Sequence, residues 1–499
     1  MSLSIIQSRA GVGITAPIVS VEVHLSRGLP SFSIVGLPAT AVKESRDRVR
    51  GAIVNSNFDF PRQRIIVNLA PADLPKEGGR FDLPIAIGIL VASGQINAGK
   101  VDRYVFLGEL ALSGALREIR GALVAALSLR GLTETLVLPR SSAAQAALVK
   151  AVRVNIADSL GQVAAMLNGL ETLEQAVSVL PTELQTCLDF SDVIGQKMAK
   201  RALEIAAAGH HSMLMIGPPG AGKTMLASRL GGILPPMSED EALEAAAIAS
   251  LGHSGFEPAR WRQRPFRSPH HSASGAALIG GGSVPAPGEI SLAHNGVLFL
   301  DELPEFSRHV LQLLREPMES GIVHISRAAR QSSFLAEFLF IAAANPCPCG
   351  YLGDPVRCQC SAHQIQNYHA KLSGPLLDRI DMHLTIHPVK TAELHEIPEN
   401  IESSAEIRHR VTAARQHQLT RQGRVNAHLD SSDLRNYCQL DSNQTALLEQ
   451  TIDRFALSTR ACHRILKLAR TIADLADYSN IKDEHLLEAV KLRCTEFKN

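Results

Sequence analysis

The stretch best suited to hold a polyphosphate is a glycine-rich octapeptide ending in lysine and threonine, Gly217-Pro218-Pro219-Gly220-Ala221-Gly222-Lys223-Thr224. Its glycines let successive backbone N–H groups converge on a β-phosphate at a helix N-terminus, where the helix dipole also favours an anion. Lys223 would bridge the β- and γ-phosphates, and Thr224 would place its hydroxyl on Mg²⁺. A purely structural turn has no need of Gly-Lys-Thr in register with a strand and a helix. Two more polar groups close apolar runs: Asp301-Glu302 follows Val297 to Leu300, and Asn345 follows Phe338 to Ala344. An acid at such a strand tip holds Mg²⁺ through water, the next acid polarises the attacking water, and a strand-tip asparagine can orient it. Together these groups suit hydrolysis of a nucleoside triphosphate.

Their positioning requires buried parallel strands. Met213-Leu214-Met215-Ile216 reads as the strand ahead of the octapeptide, and Met225-Leu226-Ala227 as the start of the helix after it. In open α/β sheets ligands sit at the carboxyl ends of the strands, and all three polar groups are expected there. An acidic pair capping any buried strand is the bland alternative for Asp301-Glu302, and its place downstream of a phosphate loop argues against that.

At 499 residues the chain is long enough for several domains. Its net charge of +1 provides no global basic field, so contact with nucleic acid must come from local patches. No apolar run reaches the roughly twenty residues of a membrane span, and Met1-Ser2-Leu3-Ser4-Ile5-Ile6 lacks a secretory charge pattern. A soluble, cytoplasmic protein without membrane partners is expected. In that compartment the eight cysteines are not expected to form disulfides.

Residues 1–175 read as an α/β domain of their own. Val19 to Leu25 alternates, Ser31 to Val35 alternates over most of its length, and Ala41 to Asn55 carries apolar residues at helical spacing. Pro71 to Leu90, with Phe106 to Arg117 after it, resembles the Lon-protease-like fold. The resemblance implies the fold and not the chemistry. In Lon proteases the serine nucleophile stands two residues after the first glycine of this turn, and the position counted from Gly78 is Arg80. A serine hydrolase needs a hydroxyl beside a base, so the domain is expected to be a structural or ring-forming platform, with a nucleic-acid surface as a further option.

After a polar passage near Leu180-Pro181-Thr182-Glu183, Asp192-Val193-Ile194-Gly195-Gln196 resembles the usual start of an AAA+ module, which implies that Val193 and Ile194 border the adenine. An acidic, alanine-rich helix follows from Ser238 to Ala249. Then comes an insert, Arg260 to His271, where arginines and two histidines crowd the chain's single tryptophan, Trp261. Such interleaving suits single-stranded nucleic acid; a solvated interdomain surface with a buried tryptophan fits equally well. From Arg264 to Phe306 the sequence resembles the magnesium-chelatase branch of the AAA+ ATPases, and the Lon-like N-terminal domain narrows the resemblance to the ComM (YifB-type) family over essentially the whole chain. That resemblance implies a hexameric, ATP-driven DNA helicase that migrates branched DNA during integration of incoming strands in natural transformation and recombination. Its partners would be single-stranded and branched DNA, further copies of itself and recombination proteins.

Alternating residues from Gly321 to Phe334 suggest a β-hairpin with a small, basic tip. In similar ATPases such a hairpin points into the ring's pore, which makes Arg327 and Arg330 candidate DNA contacts; an ordinary solvated turn is the alternative. Cys347-Pro348-Cys349 and Cys358-Gln359-Cys360, joined by a Gly/Pro-containing loop, could ligate Zn²⁺ through four thiolates or stay a knuckle of metal-free thiols. Zinc held by all four would be structural, because no position is left open. The magnesium-chelatase subunit is not expected to carry these pairs, a further point towards the ComM type.

In Leu376-Leu377-Asp378-Arg379-Ile380-Asp381, the resemblance implies that Arg379 reaches the γ-phosphate held by a neighbouring subunit; a salt bridge to Asp378 or Asp381 is the alternative. After Pro388 a polar linker runs to about Ser404. Helices follow over Ala405–Gln418, Ser432–Tyr437, Ser442–Phe455, Thr459–Asp474 and Lys482–Leu492 and resemble an AAA+ lid. The fourth resembles the second sensor helix of chelatases and replicative helicases, with Arg460 the better candidate for the phosphates and Arg464 in reserve.

The expected architecture is therefore α/β: a Lon-like domain over 1–175, a magnesium-chelatase-type AAA+ core over 176–395 with a zinc knuckle at 347–360, and a helical lid over 396–499. The expected activity is ATP hydrolysis at subunit interfaces to move DNA. A chelatase motor that drives metal insertion into a tetrapyrrole is the alternative. A regulator that only senses ATP is a third reading, disfavoured because Asp301, Glu302 and Asn345 are all present.

Overall fold

The computed structural model describes residues 2–36, 42, 44–178, 188–282, 285–327, 330–372, 374–389 and 401–494. The passage Leu180 to Glu183 and most of the linker after Pro388 lie outside them. The chain forms two compact units, one of Met1–Leu184 with Ala246–Trp261 and Ser326–Phe334, the other of Gln185–Ala245, Arg262–Ile325 and Leu335–Asn499.

The first unit is built on a seven-stranded mixed sheet in the order Ser31–Val35, Arg64–Ala70, Ile18–Ser26, Ser2–Arg9, Tyr104–Phe106, Thr135–Pro139, Val154–Ala157. Ile18–Ser26 alternates buried and half-exposed positions, as a strand with one core-facing side must. The helix Asp82–Ala92 is apolar on nearly every face and correspondingly buried. It lies so close to the sheet that Ser4 Oγ donates to the Gly88 carbonyl at 2.7 Å. Its first residue, Asp82, is fully buried; it takes Arg48 Nε at 2.7 Å and the hydroxyl of Ser45. Burial pushes this carboxyl's pKa up, against the opposing pull of Arg48 and Ser45. Arg80, at the position of the Lon nucleophile, donates to the Arg120 carbonyl at 3.0 Å. Burial draws its pKa down to about 10, so it stays charged at neutral pH. The expected helix over 41–55 is described from Ser45 to Asn55.

The second unit carries a five-stranded sheet in the order Phe266–Arg267, Gly296–Leu300, Phe338–Ala344, Met213–Ile216, Met382–Thr385, and every pairing in it is parallel. The three central strands are buried at every position, which explains their unbroken apolar runs: a strand covered on both faces has no polar side to alternate. C-terminal to the sheet stand the helices Ser404–Gln422, Ser431–Tyr437, Ser442–Phe455, Thr459–Leu475 and Asp483–Arg493, within a few residues of the expected ends. Ser403 with Glu406 and Asp441 with Gln444 form capping boxes that set two of the starts. Ile465, Leu468, Ala469 and Ile472 make the buried stripe of Thr459–Leu475, in one apolar cluster with Met213, Met215 and Leu230.

Candidate nucleotide site

The register of the parallel sheet brings the three polar groups to one edge. Ile216 pairs with Ala344, and Leu300 with Ala342, so Gly217, Asp301 and Asn345 all follow the carboxyl ends of adjacent strands. Gly217 N donates to the Ala344 carbonyl at 3.2 Å, which ties the start of the loop to the end of the neighbouring strand. Gly222 adopts φ 86° immediately before the helix Lys223–Ile233, a conformation that side chains disfavour, and it turns the loop into the helix start.

Lys223 is buried, with Nζ donating to the carbonyls of Gly217 at 2.6 Å and Pro218 at 3.0 Å and to Asn345 Oδ1 at 3.1 Å. Burial lowers its pKa, while Asp301 and Glu302 pull it upward. Thr224 Oγ1 donates to Asp301 Oδ2 at 2.6 Å, so the two residues proposed to share a magnesium ion are already in contact. Glu302 stands at φ 52°. Its N–H donates to Asp301 Oδ1 at 2.9 Å, and its Oε2 lies 3.2 Å from His271 Nδ1.

Sequence reasoning missed this role of His271, which it counted only among the residues of the Arg260 to His271 insert. The signal lay in sheet order: Phe266–Arg267 pairs with Val297 and Leu298, so the residues after it reach the same edge as Glu302. The insert is otherwise neutralised. Arg260, Arg262, Arg264 and Arg267 pair with Glu257, Glu239, Glu241 and Glu289 respectively, and Trp261 is buried edge-on to Phe256.

Arg379 pairs with neither Asp378 nor Asp381. Its Nη2 lies 2.8 Å from Glu319 Oε1, and its Nη1 donates to the Pro375 carbonyl at 2.7 Å. Asp381 is engaged by Arg464, by Ser212 N at 3.0 Å and by His211 Nδ1 at 3.5 Å. Burial would raise this carboxyl's pKa, but Arg464 and His211 hold it well below the usual range. Arg464 is thereby committed to the sheet, whereas Arg460 is exposed near the N-terminus of its helix. On the expected adenine side, Val193 is buried and Ile194 partly so; the neighbouring Gln196 donates to the carbonyls of His387 at 2.7 Å and Ala221 at 3.3 Å.

The hairpin exists as Ile322–Arg327 and Arg330–Leu335, and the side chains of Arg327 and Arg330 lie outside the described part of the structure. Cys347, Cys349, Cys358 and Cys360 converge, with all four sulfurs within 4.8 Å of one another.

Comparison with known proteins matches the description "Magnesium chelatase, subunit ChlI" over residues 189–394, "Subunit ChlI of Mg-chelatase" over 21–142 and "Magnesium chelatase, subunit ChlI C-terminal" over 401–493. The uncharacterized protein YifB of Escherichia coli (strain K12) is 50% identical across 99% of this chain and 98% of its own length. The competence protein ComM of Haemophilus influenzae is 49% identical across 99% and 98%. Lon protease 2 of Bacillus subtilis is 30% identical over 134 residues, 25% of this chain and 23% of that protein, a partial likeness that supports a Lon-like N-terminal fold. With a parallel five-stranded sheet, a phosphate-loop site at its edge and full-length relatives of this kind, the chain belongs to the magnesium-chelatase-like family of AAA+ proteins, in its ComM/YifB branch.

Proposed function

We propose that this chain is an ATPase that works as a homohexameric ring and moves branched DNA, in the cytoplasm, during integration of incoming strands. The observation that carries the ATPase reading is the Lys223–Asn345 and Thr224–Asp301 pair of contacts at one sheet edge. A relative named for competence supports the DNA reading. We divide the chain as the sequence suggested: a non-proteolytic Lon-like domain over 1–175, the ATPase core over 176–395 and the lid over 396–499.

In this reading Gly217 to Gly222 present backbone N–H groups to the phosphates, and Val193 and Ile194 border the base. Lys223 exchanges its carbonyl partners for phosphate oxygens. Thr224 and Asp301 hold Mg²⁺, which supplies neutralisation of the charge that develops on the phosphate oxygens. Glu302 takes the proton of the attacking water and Asn345 aligns it. Arg379 acts on the site of the adjacent subunit, exchanging Glu319 for the γ-phosphate; Arg460 reaches the phosphates from the lid. Arg327 and Arg330 grip the DNA backbone. The four clustered cysteines hold a structural Zn²⁺ ion.

A chelatase motor is the second reading, favoured by the family description itself. The test is ATPase turnover with and without single-stranded, duplex and forked DNA, together with strand separation on the fork. Stimulation and unwinding support the helicase. A protein that hydrolyses ATP but neither binds nor unwinds any of these DNAs refutes it in favour of the chelatase.

A further inference from the structure

The cysteine knuckle touches both walls of the nucleotide site. Cys347 follows Asn345 by two residues, and Asn345 is the side chain that accepts from Lys223. On the other wall, Gly350 adopts φ 86°, and a Cβ built on it would fall 2.5 Å from Cδ of Pro219, inside the phosphate loop. The knuckle backbone therefore rests directly against the loop.

The sulfur spacing fits one tetrahedral ion. Sulfurs about 2.3 Å from a central zinc stand about 3.8 Å from each other. Here Cys347 and Cys358 are 3.9 Å apart, Cys349 and Cys358 3.7 Å, and Cys347 and Cys349 3.3 Å. All are far longer than a disulfide bond of about 2 Å. A cluster that divides four thiolates among several irons needs a wider cage than one in which every sulfur lies within 4.8 Å of every other.

The loop between the two pairs is shaped in advance. Gly350 N donates to the Cys347 carbonyl at 2.9 Å, and Cys358 N to the Asp354 carbonyl at 2.9 Å. Asp354 Oδ1 accepts from the N–H groups of Val356 at 3.0 Å and Arg357 at 3.1 Å. Immediately after Cys360, Ser361 caps the helix Ala362–Ala370 with a full capping box. Its His369 reaches back to the Pro346 carbonyl at 2.8 Å. The four sulfurs are thus clasped between the end of the Asn345 strand and a helix that returns to it.

We infer that Zn²⁺ bound by Cys347, Cys349, Cys358 and Cys360 braces the phosphate loop through Gly350–Pro219 and the Asn345 strand tip, so that metal occupancy and nucleotide affinity are coupled. This rests on the nucleotide and zinc readings above. Zinc-binding energy is folding energy for the loop it closes. Losing the ion frees the Gly350 backbone from Pro219 and loosens the segment carrying Asn345. Coupling is reciprocal: nucleotide must raise zinc affinity by the factor by which zinc raises nucleotide affinity.

The experiment uses the full chain with three readouts: zinc content by elemental analysis, binding of a fluorescent ATP analogue, and zinc affinity by competition with a chromogenic chelator. About one zinc per chain is expected, together with a loss of analogue affinity of about fivefold or more on stripping, the lower end of ordinary coupling. Readdition of zinc should restore the affinity, and saturating nucleotide should raise zinc affinity by the same factor. Gly350→Ala keeps all four thiols but crowds Pro219, so it should retain zinc and bind the analogue more weakly. Cys358→Ser should lose both; should it fail to fold, stripping the wild-type chain makes the same comparison. Absence of zinc, or iron in its place, overturns the metal site. Zinc present with analogue affinity unchanged by stripping and by Gly350→Ala overturns the coupling alone. A zinc-loaded chain that binds no analogue refutes the nucleotide reading instead.

Discussion

His271 Nδ1 and Glu302 Oε2 stand 3.2 Å apart, with the imidazole held beside the carboxylate proposed to activate water. A carboxylate at the exposed end of a strand has several rotamers, and this contact selects one. His271→Ala should lower kcat about tenfold, because modest misplacement of a catalytic group is costly even when binding is intact. Nucleotide Kd should not change. Equal turnover in wild type and variant, measured at saturating ATP, would show that His271 positions nothing.

The two halves of the site should separate by substitution. Lys223→Ala removes the ammonium that meets the phosphates and should abolish measurable nucleotide binding. Glu302→Gln should bind ATP normally and hydrolyse it about a hundredfold or more slowly, as expected when only the proton acceptor is lost. Normal hydrolysis by Glu302→Gln would remove Glu302 from the catalytic set.

If Arg379 serves a neighbour's site, its loss should cost about a thousandfold in rate. Arg379→Ala chains mixed with Lys223→Ala chains should then recover part of the activity, because some interfaces in a mixed ring keep both groups. Rings proven to be mixed by mass, yet inactive, would argue against an interfacial site.

Asp381 and Arg464 join the sheet to the helix Thr459–Leu475 in a nearly buried ion pair. Removing either partner alone should destabilise the unit by about 3 kcal/mol. The double substitution Asp381→Asn, Arg464→Leu should cost less than the sum of the single changes. Because the folded carboxyl has a lowered pKa, its contribution is complete above the unfolded carboxyl range of about 4 and is lost as pH falls below that towards the folded value. Urea unfolding from about pH 7 to pH 3 should show a steeper acid loss in wild type than in Asp381→Asn. Parallel slopes would refute the assignment.

Arg327→Ala with Arg330→Ala should leave basal ATPase intact while DNA-stimulated ATPase, unwinding and branch migration fall together. The salt dependence of DNA binding should become shallower as phosphate contacts disappear. Unwinding at wild-type rate would place the grip elsewhere, with the Arg260 to His271 stretch next to examine.

What could be read from sequence was local. Buried parallel strands are unbroken apolar runs, so Met213–Ile216, Gly296–Leu300 and Phe338–Ala344 and the polar residues at their tips were legible without a structure. The lid helices were legible to within a few residues of their ends. Partner choice was not. That Arg379 meets Glu319 rather than its sequence neighbours, that Arg464 is consumed by Asp381, and that Arg264 and Arg267 find Glu241 and Glu289 all depend on how distant elements come together. Charge spacing along one segment carries no information about a carboxylate many residues away.

The lid begins where the core begins. Ser404 N donates to Asp189 Oδ1 at 3.1 Å, and Ser404 Oγ accepts from Phe190 N at 2.8 Å, across 215 and 214 residues of chain. A ribosome adding about 5–20 residues per second makes Ser404 on the order of 10–40 s after Asp189. Throughout that interval the segment leading into Val193 and Ile194 exists without its partner. Until the helix Ser404–Gln422 is made, Phe190 and Val193 lack Ile407 and Val411, which share their apolar cluster. A ribosome stalled within that window should yield a chain more readily captured by chaperones than one stalled after the lid has emerged.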